Sequence, residues 1–255
     1  MDFDFSLLAL YAAVAVIAGF IDAMAGGGGL ITLPALLLGH LSPIQALATN
    51  KMQGTFGALT ASLTLLSKRK IDIETIRLPF FASLIGSACG TLLVQSIEPA
   101  ALDFIIPFVL GLIALYFLFA PQAGSITREP RMDHAAYTRF IVPVIGFYDG
   151  FFGPGTGSFF ALSGVALRGW DLVRSTAAAK VMNLASNIAS LIVFIWGGKI
   201  VWVLGLSMIC GQLTGAYLGS LVVVRGGAKI IRPLIVVICL VMLARYGWQK
   251  GYFTF

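Results

Sequence analysis

Charge is scarce in this chain. Only 11% of its 255 residues are Asp, Glu, Lys or Arg, while 58% are hydrophobic and the mean hydropathy is +0.94. Soluble domains carry about 25% charged residues, so this composition excludes an ordinary water-facing surface and leaves a polytopic membrane protein. Cysteine is scarce too. Cys89, Cys210 and Cys239 stand alone in apolar stretches at no ligand spacing, which excludes a disulfide framework or a cysteine metal site and leaves small packing residues. The two histidines, His40 and His134, sit in predicted loops. With no paired His, no HExxH and no Ser-His pair at membrane depth, nothing supports an intramembrane enzyme. No GxxxxGK[ST] loop exists, so ATP-driven transport has no support within the chain, and no cofactor or nucleic-acid partner is implied. The first residues lack the Lys or Arg of a secretory signal and carry Asp2 and Asp4 instead, so the apolar run that follows is read as a retained span.

What is present is apolar sequence in lengths that cross a bilayer, about 20 residues each. Such runs are predicted at 5–24, 46–66, 78–97, 102–120, 176–197, 201–223 and 230–248. The pieces 29–38 and 157–167 are too short to span comfortably, and 138–152 is marginal. Ahead of each short piece lies a glycine break, Gly26, Gly27, Gly28 and Gly29 in one case and Gly153-Pro-Gly-Thr-Gly157 in the other. Consecutive glycines disfavour a helix interior, and a broken backbone at membrane depth is tolerated only where protein or a water-filled cavity surrounds it. The breaks therefore mark a candidate site lining.

The two breaks belong to a wider internal match. Gly19-Phe-Ile-Asp22 with Gly26 and Gly28 reappears as Gly146-Phe-Tyr-Asp149 with Gly153 and Gly155 at an offset of 127. Beyond the breaks the offset is 129, pairing Lys51 with Lys180, Gly86 with Gly215 and Gly90 with Gly219. Collinear Asp, Gly and Lys matches predict an internal duplication, with repeats at 1–120 and 140–255 and a polar cytoplasmic linker at 121–139.

Lys and Arg set the expected orientation, because they stay on the cytoplasmic side. Four clusters (Lys68, Arg69, Lys70 and Arg77; Arg128, Arg131 and Arg139; Arg168 and Arg174; Arg225, Lys229 and Arg232) fall inside under one topology. Lys199, Arg245 and Lys250 are its exceptions, and both termini are then periplasmic. Counting crossings makes the second half an upside-down copy of the first, each a glycine-broken hairpin or helix pair followed by three transmembrane helices. That arrangement, an all-α membrane protein of two inverted repeats, is common in secondary transporters, whose substrate site lies at the midplane where broken helices meet.

A helix that starts just after a glycine break directs free N–H groups and the positive end of its dipole at whatever sits in the break, which favours an anion. Thr32, Thr156 and Ser158 add hydroxyl donors there, and Lys51 and Lys180 add full positive charge. With helix starts near Ser42-Pro43 and Asp171, each lysine lies roughly 10–13 Å below the membrane surface. A lone lysine at that depth can instead snorkel to the interface; recurrence at matched positions argues for a shared role. Asn183 and Asn187 share a helix face with Lys180, while Asn50 and Gln53 flank Lys51 less neatly. These amides either bind substrate or tie helices together. Asp22 and Asp149 are caps for the broken backbone, counter-ions for the lysines or proton carriers, and their place just ahead of each break favours capping. The GxxxG pairs Gly86/Gly90 and Gly215/Gly219 predict close helix packing, within one protomer or across a homodimer.

The run GFIDAMAGGGGLITLPALLLGHLSPIQALATNK, with its counterparts GFYDGFFGPGTGSFF and AAAKVMN, resembles the TauE/SafE family, also called the 4-toluene sulfonate uptake permease family. The resemblance covers nearly the whole chain. It implies secondary transport of a small oxyanion or organosulfur compound such as sulfite or a sulfonate, by a multi-pass protein of the bacterial inner membrane. It marks Gly26–Gly29 with Asn50 and Lys51, and Gly153–Gly157 with Lys180, as motif positions. Membership leaves the substrate open, so an anion channel of the same fold and a transporter of a small carboxylate stand as alternatives.

Overall fold

The computed structural model describes residues 4–98, 101–102, 108 and 129–225. The predicted spans 102–120 and 230–248, Cys239, Arg128, Lys229, Arg232, Arg245, Lys250 and the C-terminus lie outside or almost wholly outside the described residues, as do residues 121–128 of the predicted linker.

The chain is all-helical, and no strand occurs among the described residues. The helices are α1 (Phe5–Ala25), α2 (Gly29–Leu38), α3 (Pro43–Ser67), α4 (Ile73–Gln95), α5 (Val142–Phe151), α6 (Thr156–Arg168), α7 (Leu172–Trp196) and α8 (Trp202–Val224). A short turn, His134–Ala136, and a π-helical turn, Tyr137–Ile141, lead into α5, so helix begins inside the stretch predicted as linker. Helices α1, α4, α7 and α8 are long and apolar enough to cross a membrane, and α2 is a shorter apolar helix. The starts of α3 and α7 follow from local chemistry. Ser42 and Gln45 form a reciprocal capping box ahead of Pro43, whose missing N–H is unneeded in a first turn, and Asp171 accepts the Arg174 N–H at 2.9 Å.

Burial separates centre from rim. In α7, 72% of the most apolar window is buried, against 39% in α1 and α4 and 44% in α8. Helix α3 is likewise buried along most of its length, so α3 and α7 are the inner pair, and the outer helices turn Leu10, Ile17, Phe81, Ile85, Leu92, Leu206 and Leu218 outward, as lipid-facing surface requires. Trp196 and Trp202 are exposed at one end, where an aromatic belt sits. Cys89 and Cys210 are also exposed, which corrects their reading as packing residues.

The glycine pairs act within the chain. Helix α1 lies along α8, and α4 along α5. A Cβ on Gly86 or Gly90 would press on the carbonyls of Pro143 or Phe147; one on Gly215 or Gly219 would press on those of Val16 or Phe20. Both sets of partners carry the sequence offsets, since 143 and 147 are 16 and 20 plus 127, and 215 and 219 are 86 and 90 plus 129. The same exchange places Gly146 against Ser83 and Gly19 against Gln212.

A candidate anion site between crossed ion pairs

The breaks meet at the centre. Helix α1 ends at Gly26, whose φ of 74° is the left-handed region that suits glycine, and α6 starts after Gly155 at φ 84°. A Cβ on Gly26 would collide with the backbone of Gly157 and Ser158, and one on Gly29 would sit 3.2 Å from Pro154 Cα. The Ser158 hydroxyl donates to the Ala25 carbonyl, tying the second break to the first. The two breaks thus pack on each other, with Gly26 directly against Gly157.

Each lysine is held by the aspartate of the other half. Lys51 on α3 pairs with Asp149 on α5 at 2.8 Å, and Lys180 on α7 pairs with Asp22 on α1 at 3.0 Å. Lys180 also donates to the Asp22 carbonyl. A second Asp22 oxygen accepts the Gly28 N–H at 3.1 Å, so this carboxylate caps the first break and neutralises a lysine together. Asp149 accepts Asn183 at 3.4 Å. Neither lysine reaches an interface: their side chains are 2% and 1% exposed.

Between these groups lies a cavity of about 30 Å³, room for one or two waters. Its lining includes Asp22, Gly26, Gly29, Asn50, Lys51, Asp149, Gly153, Gly155, Gly157, Asn183 and Asn187. Gly27, Gly28, Thr156 and Lys180 are not in that lining. Thr156 spends its hydroxyl on the Gly153 carbonyl at 2.6 Å, and Lys180 stands behind Gly157, where a Cβ would come within 3.1 Å of its ammonium. Gly28 takes ordinary helical angles, φ −57° and ψ −40°, so its need for glycine is spatial: a Cβ would meet that of Asp22 at 2.6 Å. Thr32, whose hydroxyl donates to Asn50 Oδ1 at 2.5 Å, helps to fix that amide, and Gln53 donates to the same oxygen at 2.8 Å.

Gln53, Gly54 and Gln212 complete the lining. Gln212 was legible in principle, since an amide in the middle of the apolar run 201–223 faces the bundle interior or a cavity. Its side chain fills the space left by Gly19 and Gly57. The side-chain oxygens of Gln53 and Gln212 are buried without a hydrogen-bond partner, leaving two acceptors at the cavity.

Comparison with known proteins decides the family. The model of the family described as sulfite exporter TauE/SafE matches residues 11–246. This chain belongs to the TauE/SafE family. It is 45% identical over 255 residues, the whole of both chains, to a probable membrane transporter protein of Haemophilus influenzae. It is 43% identical to the probable membrane transporter protein YfcA of Escherichia coli K12, over 94% of this chain and 89% of that one. A probable membrane transporter protein, ORF9, of a Sinorhizobium species is 42% identical over 96% of this chain and 94% of its own. No solved structure matches. The TauE/SafE family is one of membrane transporters, not of enzymes, and this member has the several apolar helices of a multi-pass membrane protein.

Proposed function

We propose that the chain is a secondary transporter of a small oxyanion, with sulfite or a sulfonate as substrate class, working by alternating access in the bacterial inner membrane. The observation that carries this reading is the pair of buried lysines, each beside a glycine break and each bound by a carboxylate from the other half. Lys51 and two glycine-flanked helix starts border the cavity, Lys180 stands behind Gly157, and together they supply the positive charge that an anion meets once a carboxylate gives way. The family description supports the oxyanion.

Inverted repeats are the proposed frame. The exchanged contacts of α1 with α8 and α4 with α5 support a two-fold relation between the halves, and the Lys/Arg clusters support its inversion across the membrane. Arg131 and Met132 N–H groups both bond to the Leu167 carbonyl, and Arg168 reaches the Met132 carbonyl, so the second and third clusters share one end. A cavity of about 30 Å³ is too small for a sulfonate, which supports a closed arrangement that must part to load rather than a standing pore. In proteoliposomes, sulfite or a sulfonate should accumulate uphill under an imposed ion gradient. Strictly downhill flux would make the protein a channel, and flux of carboxylates alone would replace the substrate class.

A further inference from the structure

We infer that an anion enters this site only together with protons, one proton per negative charge, and that Asp22 and Asp149 are the groups that take them up. The inference rests on the anion-transport reading above and adds its coupling ion. Its starting point is the charge balance. Two ammonium groups and two carboxylates, paired as Lys51 with Asp149 and Lys180 with Asp22, sum to zero before any substrate arrives. Each lysine is already neutralised by a carboxylate, so an added anion shares it with that carboxylate and leaves the site with an uncompensated buried negative charge. Adding a proton removes that penalty. A solvent proton bonds to one carboxylate oxygen, Asp–COO⁻ becomes Asp–COOH, the freed ammonium turns to the anion, and no other bond changes. The site returns to zero net charge with one proton for a monovalent anion and two for a divalent one.

The surroundings leave these carboxylates as the acceptors. Asp149 faces Lys51 from α3 and the neutral Asn183 from α7, with Tyr148 beside it in sequence and bonded to the Pro154 carbonyl at 2.7 Å. Asp22 faces Lys180 from α7 and the Gly28 N–H just ahead of α2. Helix α8 brings the neutral amide Gln212 to the cavity, and α6 brings Gly157. No histidine lines it. The two carboxylates are not equally reachable, since the Asp22 side chain is 17% exposed and that of Asp149 only 2%.

Methanesulfonate and sulfate, fully ionised throughout the neutral range, make the proton count unambiguous. Binding to the purified full-length chain in detergent is followed by calorimetry in buffers of different ionisation enthalpy, which reads protons taken up per anion bound. One proton per methanesulfonate and two per sulfate are expected, with methanesulfonate affinity falling by up to about tenfold per unit rise in pH, because deprotonation restores the competing carboxylate. Asp22→Asn and Asp149→Asn each leave a site of net charge +1, so each should bind methanesulfonate without proton uptake and with its pH dependence lost. Wild-type binding of either anion without protons, or with sodium in their place, overturns the coupling and leaves the transporter reading intact. Proton uptake that persists unchanged in both Asn variants also overturns it. If neither probe binds at any pH, the anion site and the coupling fall together.

Discussion

The two ion pairs at the centre are built from equivalent residues and yet are not equivalent. Lys51 and Asp149 are sealed, each with a side chain 2% exposed, whereas Asp22 opposite Lys180 keeps 17% of its side chain open. One substitution between the halves accounts for much of this. Asn183, which lies against Asp149, corresponds at offset 129 to Gly54, so Asp22 has no amide in the matching place and bonds to the Gly28 N–H instead. A frame of exchanged contacts thus holds one locked pair and one looser pair.

The largest expected effects break the locked pair. Lys51→Met strands a buried carboxylate and should cost about 3–5 kcal/mol, seen as a large drop in melting temperature in detergent. Adding Asp149→Leu should recover most of that loss while leaving the chain unable to transport. Lys180→Met should destabilise less, because Asp22 retains partial exposure and the Gly28 N–H. Equal losses from the two lysine variants would erase the distinction between the pairs.

Next in size are the glycine contacts, which test the shared frame. Gly90→Leu and Gly219→Leu each drive a side chain into a helix carbonyl, of Phe147 and of Phe20, and each should cost about 1–3 kcal/mol or more through overpacking. Similar melting losses in the two variants support exchange of contacts, and tolerance of one alone would refute it. Gly198 supplies the contrast. Its φ of 62° is left-handed but nothing lies within 4 Å, so Gly198→Ala should cost only the backbone strain, about 1–2 kcal/mol. Smallest is Asn183→Ala, which removes a long hydrogen bond of 3.4 Å from Asp149 and should cost about 1 kcal/mol. The loss should show as a small drop in melting temperature in detergent.

Much of the architecture was readable from local chemistry. The glycine breaks, the short helix α2 at 29–38 and the helix starts at Ser42-Pro43 and Asp171 all follow from residues close in sequence. Hydropathy also located the long outer helices. The bonding partners were not readable, because Asp22 lies 158 residues from Lys180 and only the packing of α1, α5, α3 and α7 brings each aspartate to the lysine of the other half. From sequence, an aspartate ahead of a break reads as a cap. Asp22 does cap, and it also holds a lysine. Thr156 reads as a donor to substrate, yet its nearest acceptor is the Gly153 carbonyl of its own turn. Gln212 escaped notice because its counterpart, Ser83, is a different residue type, so the repeat gave no signal there.

The central claim is that Lys51 and Lys180 are the cations that receive a transported anion. Sulfite counterflow in proteoliposomes tests it most directly, because a labelled anion accumulates against its gradient only when a carrier exchanges it for unlabelled anion inside. Wild-type protein should show a transient overshoot of labelled sulfite, and Lys51→Gln and Lys180→Gln, matched for folded protein in the vesicles, should show none. An undiminished overshoot in both variants would contradict the account.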